Sequence, residues 1–174
     1  SKEHPDFTTY AFMVYSLSAG KESSAGDFTE LAISSAKRIL SKYHSNSVYT
    51  NSLALLALMN AGGTAEEKYW DHLISSAKEK ETFAYWGNNE SFNYRWQEDN
   101  VQTTAFAVKA LVAYKPDLEI ISKALKYLLQ KRRGFSWGST QETASIIFAL
   151  TDYLKVSGEL NPDFRVEVYL NGKR

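Results

Sequence analysis

Hydrophobic residues along the chain follow two alternating helical patterns. Four stretches are apolar on almost every face of a predicted helix: residues 8–17, 49–58, 102–111 and 141–150. Three stretches between them carry an apolar stripe on one face only: residues 27–40, 64–77 and 116–133. An all-apolar helix is typical of a buried position, whereas an amphipathic helix covers a core from outside. The alternation therefore predicts an all-α fold of about seven helices in an inner and an outer layer.

The four apolar stretches are copies of one ten-residue pattern, and residues 139–150 contain its sharpest copy. The fourth position is small in every copy: Ala11, Ser52, Ala105 and Ala144. The ninth and tenth positions pair a small residue with leucine. Successive copies start roughly 40 to 50 residues apart, a period typical of stacked two-helix units. Since small residues let inner helices approach closely, we expect Ala144→Leu to overpack the inner layer.

Capping residues and glycines mark the predicted helix boundaries. Three pairs have the spacing of a capping box: Asp27 with Glu30, Thr64 with Glu67, and Ser139 with Glu142. Asp6 is expected to cap a first helix over Phe7–Ala19, and Asp99 to cap the third inner helix. Pro116 and Asp117 are expected to begin the sixth helix. Four glycines mark helix ends: Gly20, Gly62, Gly63 and Gly134.

Two short segments change to the alternating pattern of β-strands. Between residues 82 and 96, Phe83 and Tyr85 alternate with polar residues, and Asn88-Asn89 has the composition of a turn. The alternation then resumes at Phe92, Tyr94 and Trp96. We therefore predict a short hairpin with its turn at the two asparagines. Residues 164–170 alternate in the same way and predict a C-terminal strand.

Composition excludes several kinds of partner and chemistry. Of 174 residues, 44% are hydrophobic and 23% charged, which is typical of a globular domain. Lysine plus arginine equals aspartate plus glutamate at 20 each, so no basic excess favours nucleic acid. The absence of cysteine excludes disulfides, thiol nucleophiles and cysteine-ligated zinc. The N-terminus, Ser1 to Asp6, has neither an initiator methionine nor a signal-peptide pattern, and we expect an excised or processed piece.

Histidines and aromatic residues offer two candidate sites. His4, His44 and His72 lack the spacing of known metal motifs, so we expect solvated side chains. A sugar-stacking platform would use the hairpin aromatics: Tyr85, Trp86, Phe92, Tyr94 and Trp96. Hydrolytic acids would come from Glu90, Glu98 and Asp99. The pattern fixes no second carboxylate across a cleft, which favours a hairpin packed on the helices and a capping role for Asp99.

Two further polar motifs have structural explanations. Ser139 follows Gly138, but the sequence around it is not a nucleophile elbow, and we expect Ser139 to cap a helix. Lys131, Arg132 and Arg133 form a set of cations suited to the C-terminus of a helix. Neither an Asp-x-Asp-Asp run nor a cysteine-containing zinc set is present. We therefore assign no catalytic, cofactor-binding or metal-binding residue.

A family resemblance rests on four motifs. These are residues 48–50, the aromatic hairpin, residues 99–105, and the string Gly-Phe-Ser-Trp-Gly-Ser-Thr-Gln-Glu-Thr at 134–143, which is the most specific. Together they resemble the second half of the thioester domain of alpha-2-macroglobulins and complement proteins, over residues 5–154. The resemblance implies a partial α/α toroid of the terpenoid-cyclase-like type at residues 1–158. Residues 159–174 would be a linker and the first strand of a following β-sandwich segment.

The resemblance also implies a function. Proteins of this family inhibit endopeptidases: cleavage of a bait segment triggers a rearrangement that traps the protease. Many members carry a thioester between cysteine and glutamine of a Cys-x-Glu-Gln motif, which this chain lacks, and His4 does not align with the assisting histidine of some relatives. We therefore expect a non-enzymatic fragment of a bacterial alpha-2-macroglobulin-like protein that is secreted, periplasmic or membrane-anchored. Its partners would be target proteases and other domains of the same protein.

Two alternatives remain open, and an edge of the array offers a further contact. The chain could be a carbohydrate-active or other α/α toroid enzyme domain, or a structural protein-interaction domain. In a partial array, the first inner helix lacks a preceding neighbour, so Phe12, Met13, Tyr15 or Leu17 should be partly uncovered. We expect the chain to self-associate through this edge or through residues 164–170.

Overall fold

The computed structural model describes residues 7–20, 26–88 and 99–158 of the chain. Within these residues it has seven helices: α1 (Phe7–Ala19), α2 (Gly26–Leu40), α3 (Val48–Asn60), α4 (Glu67–Ser75), α5 (Asn100–Tyr114), α6 (Glu119–Gln130) and α7 (Thr140–Ser157). Two short strands lie between α4 and α5: β1 (Lys78–Glu79) and β2 (Ala84–Tyr85). The all-α fold predicted from the sequence is confirmed. None of the helices in this part of the chain combines the length and apolarity needed to cross a bilayer.

The odd-numbered helices form one layer in chain order. Helix α3 packs between α1 and α5, and α5 packs between α3 and α7. Helix α2 packs against α1 and α3, α4 against α3, and α6 against α5 and β2. The four helices of the continuous layer are the four copies of the ten-residue pattern. The periodicity of the sequence therefore separates inner from outer helices correctly.

Neighbouring inner helices run in the same direction. Near the starts of α1 and α3, the hydroxyl groups of Thr8 and Thr50 lie 3.0 Å apart. Near the ends of the same helices, the Asn60 amide donates to the Ser18 hydroxyl at 3.3 Å. The N-termini of the inner helices consequently gather at one side of the layer.

Small residues lie where the inner helices are most closely packed. Ala11, Ser52 and Ala105, at the fourth position of the repeat, are fully buried. Ala144, at the same position of α7, is only half-buried. The expectation that Ala144 is packed like the others is wrong, because no described helix follows α7 in the layer.

Two of the predicted caps are confirmed. The Asp99 carboxylate accepts a hydrogen bond from the backbone N–H of Gln102 at 2.6 Å, at the start of α5. The Ser139 hydroxyl accepts one from the backbone N–H of Glu142 at 3.1 Å, at the start of α7. Each bond satisfies a backbone donor that the helix itself leaves without a partner.

The other predicted helix starts are displaced. Thr64 is not a cap, because Glu66 occupies the N-cap position of α4 without a side-chain cap bond. Helix α2 begins at Gly26, so Asp27 lies inside the helix and not at its N-cap. Helix α6 begins at Glu119, after a turn that contains Pro116 and Asp117. Asp6 lies outside the described residues.

The described residues contain a hairpin that begins before the predicted one, whose return strand at residues 92–96 lies outside them. Lys78 pairs with Tyr85 and Glu79 with Ala84 in antiparallel register. The Lys80 N–H donates to the Phe83 carbonyl at 2.8 Å, which closes the turn between the strands. The expected first strand is therefore the second strand of the hairpin. The first strand was missed because Lys78 and Glu79 are polar and exposed; residues 89–98 and 164–170 lie outside the described part.

Several large apolar side chains are exposed at the ends of the layer. On α1, Phe12, Met13 and Leu17 are 39%, 58% and 56% exposed, as the sequence predicts for an edge helix. Leu31 of α2 and Leu129 of α6, which belong to the amphipathic stretches at residues 27–40 and 116–133, are about half-exposed. Both lie at the margin of a stripe, where the helix surface turns from its partner to solvent.

Candidate functional site at the starts of the inner helices

Trp86 joins an outer helix to an inner helix. Its indole N–H donates to the backbone carbonyl of Leu73 on α4 at 2.8 Å. Its backbone N–H donates to the hydroxyl of Thr104 on α5 at 3.0 Å. The ring is fully buried. Trp86 was a candidate for a sugar-stacking platform, and burial excludes that role because a stacking ring must offer a face to its ligand.

Trp137 makes the same two connections one repeat later. Its indole N–H donates to the backbone carbonyl of Leu128 on α6 at 2.6 Å. Its backbone N–H donates to the hydroxyl of Thr143 on α7 at 3.1 Å. Thr104 and Thr143 occupy the same position of the ten-residue pattern. The repeat therefore includes the tryptophan that precedes each of these inner helices. The ten-residue pattern begins after this tryptophan and so does not reveal it.

A glycine follows each tryptophan and lies against the first turn of the next inner helix. Gly87 has φ +109°, and a Cβ there would lie 2.5 Å from the Asn100 side-chain oxygen. A Cβ at Gly138 would lie 3.0 Å from a carboxylate oxygen of Glu142. Only glycine permits this approach without displacing a side chain of the helix start. The two Trp-Gly pairs thus position the polar groups at the start of α5 and α7.

A cleft of about 310 Å³ lies between the starts of α5 and α7 and the end of α6. Two carboxylic acids, Asp99 and Glu142, line this cleft. Three consecutive cations, Lys131, Arg132 and Arg133, line it as well. The cleft therefore brings two acids and a basic run together, which makes it the strongest candidate site in the described residues.

Burial raises the pKa values of both acids in the cleft. Burial raises the pKa of Asp99, and hydrogen bonds from the backbone of Gln102 and Val101 oppose the change. Burial also raises the pKa of Glu142, and the negative charge of Asp99 raises it further. Hydrogen bonds from Ser139 and Gly138 and the charge of Arg133 act in the opposite direction. The two carboxyl groups are therefore electrostatically linked.

Both acids form hydrogen bonds at the starts of their own helices. Asp99 accepts from amide groups of the first turn of α5, and Glu142 accepts from the Gly138 backbone and the Ser139 hydroxyl. The sequence predicts capping by Asp99 and a capping box at Ser139 and Glu142, but not the proximity of the two acids. Parallel inner helices place their N-termini side by side. The proximity of Asp99 and Glu142 could therefore have been predicted from the repeat, which places each acid at the start of an inner helix.

The predicted aromatic platform is packed against α6 in its described part. The Tyr85 ring stacks on Tyr127 with centroids 4.9 Å apart and planes at 15°. Phe83 contacts the same tyrosine at 5.9 Å. Lys131 places its Nζ 5.3 Å from the Tyr127 ring centroid, at the C-cap of α6, as expected for a cation at a helix end. Phe92, Tyr94, Trp96, Glu90 and Glu98 lie outside the described residues.

Two histidines that are distant in the sequence lie together. The rings of His44 and His72 are 5.4 Å apart, and Tyr43 contacts both. Burial lowers the pKa of His72, and the charge of His44 lowers it further. His44 is exposed, as expected, and His72 is partly buried; the sequence did not predict that the two rings meet, which happens because the turn after α2 packs on α4. Within the residues described, no three metal-ligating side chains are grouped; His4 lies outside them.

The repeated inner helices, the outer covering helices and the capped N-termini define a two-layer helical-array domain. The chain matches the family model of the A-macroglobulin TED domain over residues 4–153. This protein therefore belongs to the A-macroglobulin TED (thioester) domain family. The match covers α1 to α6 and most of α7. The family resemblance inferred from the motif at 134–143 is thereby confirmed.

Proposed function

We propose that this chain contributes a TED domain to a protein that inhibits endopeptidases by trapping them. The family match over residues 4–153 carries the proposal, because A-macroglobulins are a family of protease inhibitors. In the proposed mechanism, a protease cleaves a bait segment elsewhere in the protein, and the resulting rearrangement encloses it. The partners are the target protease and the other domains of the same protein. The site of action is outside the cytoplasm, in a secreted, periplasmic or membrane-anchored protein.

Within that protein, the chain acts as a rigid packing unit and not as an enzyme. The hydrogen bonds of Asp99 and Glu142 support this role, since both acids are occupied by the starts of α5 and α7. The chain contains no cysteine and so supplies no thiol for a thioester. Its contribution to trapping is the surface that it presents to neighbouring domains when the protein rearranges.

Two substrates of different size test trapping directly. The protein that contains this chain is incubated with trypsin, chymotrypsin or elastase, and hydrolysis of a small chromogenic peptide and of casein is measured. A trapped protease keeps its activity on the peptide and loses most of its activity on casein. Equal loss on both substrates would indicate a direct active-site inhibitor, and no loss with any protease would contradict inhibition. The 174-residue chain alone serves as the control and should protect neither substrate.

The alternative function is that of a carbohydrate-active enzyme with its active site in the acidic cleft. It requires that Asp99 and Glu142 act as acid and base on a glycosidic bond. Glycoside turnover by the chain that disappears in both Asp99→Asn and Glu142→Gln would support this alternative and contradict our proposal. Turnover that survives both substitutions would come from another source.

A further inference from the structure

Two imidazole side chains from different outer elements lie together at the surface. His44 belongs to the turn after α2, and His72 belongs to the last turn of α4. Their ring centroids are 5.4 Å apart, and the ring planes are at 79° to each other. His44 is exposed and His72 is partly exposed. Both rings are therefore accessible to an ion in solution.

The distance between the two rings fits a shared metal ion. An imidazole nitrogen binds Zn²⁺ at about 2.0 to 2.1 Å, and Zn²⁺ favours tetrahedral angles between its ligands. Two imidazole rings bound to one such ion therefore have centroids about 5 Å apart. The observed 5.4 Å is close to that value. Rotation of the exposed His44 side chain, a fast motion at a protein surface, can direct a ring nitrogen toward the ion.

Hydrogen bonds hold the turn that carries His44 in place. The Asn51 side-chain amide of α3 donates to the Tyr43 carbonyl at 2.9 Å. The Asn46 side-chain amide donates to the Ile39 carbonyl, also at 2.9 Å. The Tyr43 ring lies against the His44 ring, with centroids 3.8 Å apart. A ligand positioned in this way loses little conformational freedom when it binds an ion.

Packing of α4 on the core positions the second imidazole. Leu73, next to His72, is buried. Trp70 is also buried, and its ring stacks on Tyr114 of α5 with centroids 4.3 Å apart and planes at 2°. The Ser76 N–H donates to the His72 carbonyl at 3.1 Å. The backbone of His72 is thus anchored on both sides, while its ring stays partly exposed.

We propose that His44 and His72 together bind a divalent transition-metal ion between the turn after α2 and helix α4. Neutral imidazole is a ligand for Zn²⁺, Ni²⁺ and Cu²⁺, whereas Mg²⁺ and Ca²⁺ take oxygen ligands. Among the described residues no third metal-ligating side chain is grouped with the pair, so water completes the coordination. Binding should follow the general order of affinity for such ligands, in which Cu²⁺ exceeds both Ni²⁺ and Zn²⁺.

The bound ion would link two outer helices. Helix α2 packs on α1 and α3, and α4 packs on α3. The two histidines come together only when the chain is folded, because they belong to different elements. An ion that binds both of them therefore binds the folded chain more tightly than the unfolded chain, and it should raise the stability of the domain.

Calorimetric titration of the 174-residue chain, without an affinity tag, with ZnCl₂, NiCl₂ and CuCl₂ tests the site. His44→Gln and His72→Gln should each weaken binding at least about tenfold, because each removes one of two ligands. MgCl₂ should not displace the bound ion. Saturating Zn²⁺ should raise the melting temperature of the wild type but not of either variant, and EDTA should reverse the increase.

His4→Gln is the matched control, because His4 is the third histidine of the chain. This variant should bind the ions as the wild type does. Circular dichroism establishes that every variant is folded. A wild-type chain that binds none of the three ions overturns the proposal. Weaker binding in only one of His44→Gln and His72→Gln overturns shared coordination, and loss of binding in His4→Gln overturns the location of the site. The test requires no protease, so its failure is distinct from failure of trapping.

Discussion

The indole N–H of Trp137 donates to the backbone carbonyl of Leu128 at 2.6 Å. Leu128 lies in the last turn of α6, where carbonyl groups lack partners within the helix. The neighbouring amides of Lys131 and Arg132 are used by Tyr127 and Leu129. The tryptophan thus completes the hydrogen bonding of an outer helix while it anchors the inner helix that follows.

We expect Trp137→Phe to lower the free energy of unfolding by about 1 to 3 kcal/mol, because a buried carbonyl loses its donor. Urea denaturation followed by far-ultraviolet circular dichroism measures the change. Phe135→Leu is the matched control, since Phe135 is an aromatic residue two positions away and is 97% exposed. A loss for Phe135→Leu as large as that for Trp137→Phe would contradict the bridging role.

The cap of α7 provides a second prediction. Ser139→Ala removes the acceptor for the Glu142 N–H and should cost about 0.5 to 2 kcal/mol of unfolding free energy. Thr64→Ala is the control, because Thr64 also precedes a helix but does not occupy its N-cap. We expect its effect to stay within about 0.5 kcal/mol. Similar losses in the two variants would argue against a specific cap at Ser139.

Much of the fold could be predicted from residue periodicity and helix-end chemistry. The inner helices were recognisable because their apolar residues do not keep to one face, and the caps at Asp99 and Ser139 follow from local spacing alone. The pairing of β1 with β2 was missed because β1 is a two-residue polar strand, and its partner β2 is fixed by packing against α6. Periodicity carries no information about such a contact.

The candidate site could be predicted only in part. Asp99 and Glu142 were each assigned to a helix start, but their electrostatic link depends on α5 and α7 lying side by side. His44 and His72 come together because a turn packs on α4, and nothing near either residue in the sequence indicates that contact. Short-range chemistry was therefore predictable, whereas contacts between elements distant in sequence required the packed structure.

Packing of the inner layer gives a third prediction. Ala105 is fully buried at position four of α5, so Ala105→Leu should overpack the layer and cost about 1 to 3 kcal/mol of unfolding free energy. Ala144 occupies the same position of α7 but is half-buried, and Ala144→Leu should cost much less. Thermal unfolding of both variants compares them. Equal shifts of the melting temperature would contradict the difference between an interior and an edge helix.

The acidic cleft predicts a pH dependence of stability. The pKa of Glu142 is raised in the folded state, so the native protein binds this proton more tightly than the unfolded chain does. Its contribution to stability is complete below the pKa of the unfolded chain and is lost as the pH rises through the folded-state pKa. Glutamine also occurs at this position of a capping box, so Glu142→Gln should retain the helix start. The variant should lose less stability than the wild type as the pH rises.

Urea denaturation at several pH values between about 4 and 7 measures that contribution. Glu119→Gln is the control, because Glu119 lies in the first turn of α6 with a side chain that is 84% exposed. It should follow the wild-type pH profile. If Glu142→Gln also follows the wild-type pH profile, the raised pKa of Glu142 is contradicted.

The histidine pair predicts the opposite dependence. The pKa of His72 is lowered in the folded state, so the native protein binds this proton more weakly than the unfolded chain. Its contribution to stability is complete above the pKa of the unfolded chain and is lost as the pH falls through the folded-state pKa. His72→Gln should flatten the profile between about pH 5 and 7.5. His44→Gln should flatten the pH profile less than His72→Gln, because burial lowers the pKa of His72 more than the charge of His44 does. A larger effect of His44→Gln would contradict this prediction.

The chain-order packing of the inner layer has a consequence for how the domain loses its structure. Among the described residues, α3 and α5 are covered by inner helices on both faces, whereas α1 and α7 are each covered by an inner helix on one. In an array stabilised by contacts between neighbours, an outermost member can detach without breaking contacts among the rest. Opening should therefore proceed inward from either end, and the backbone amides of α3 and α5 should exchange with solvent most slowly.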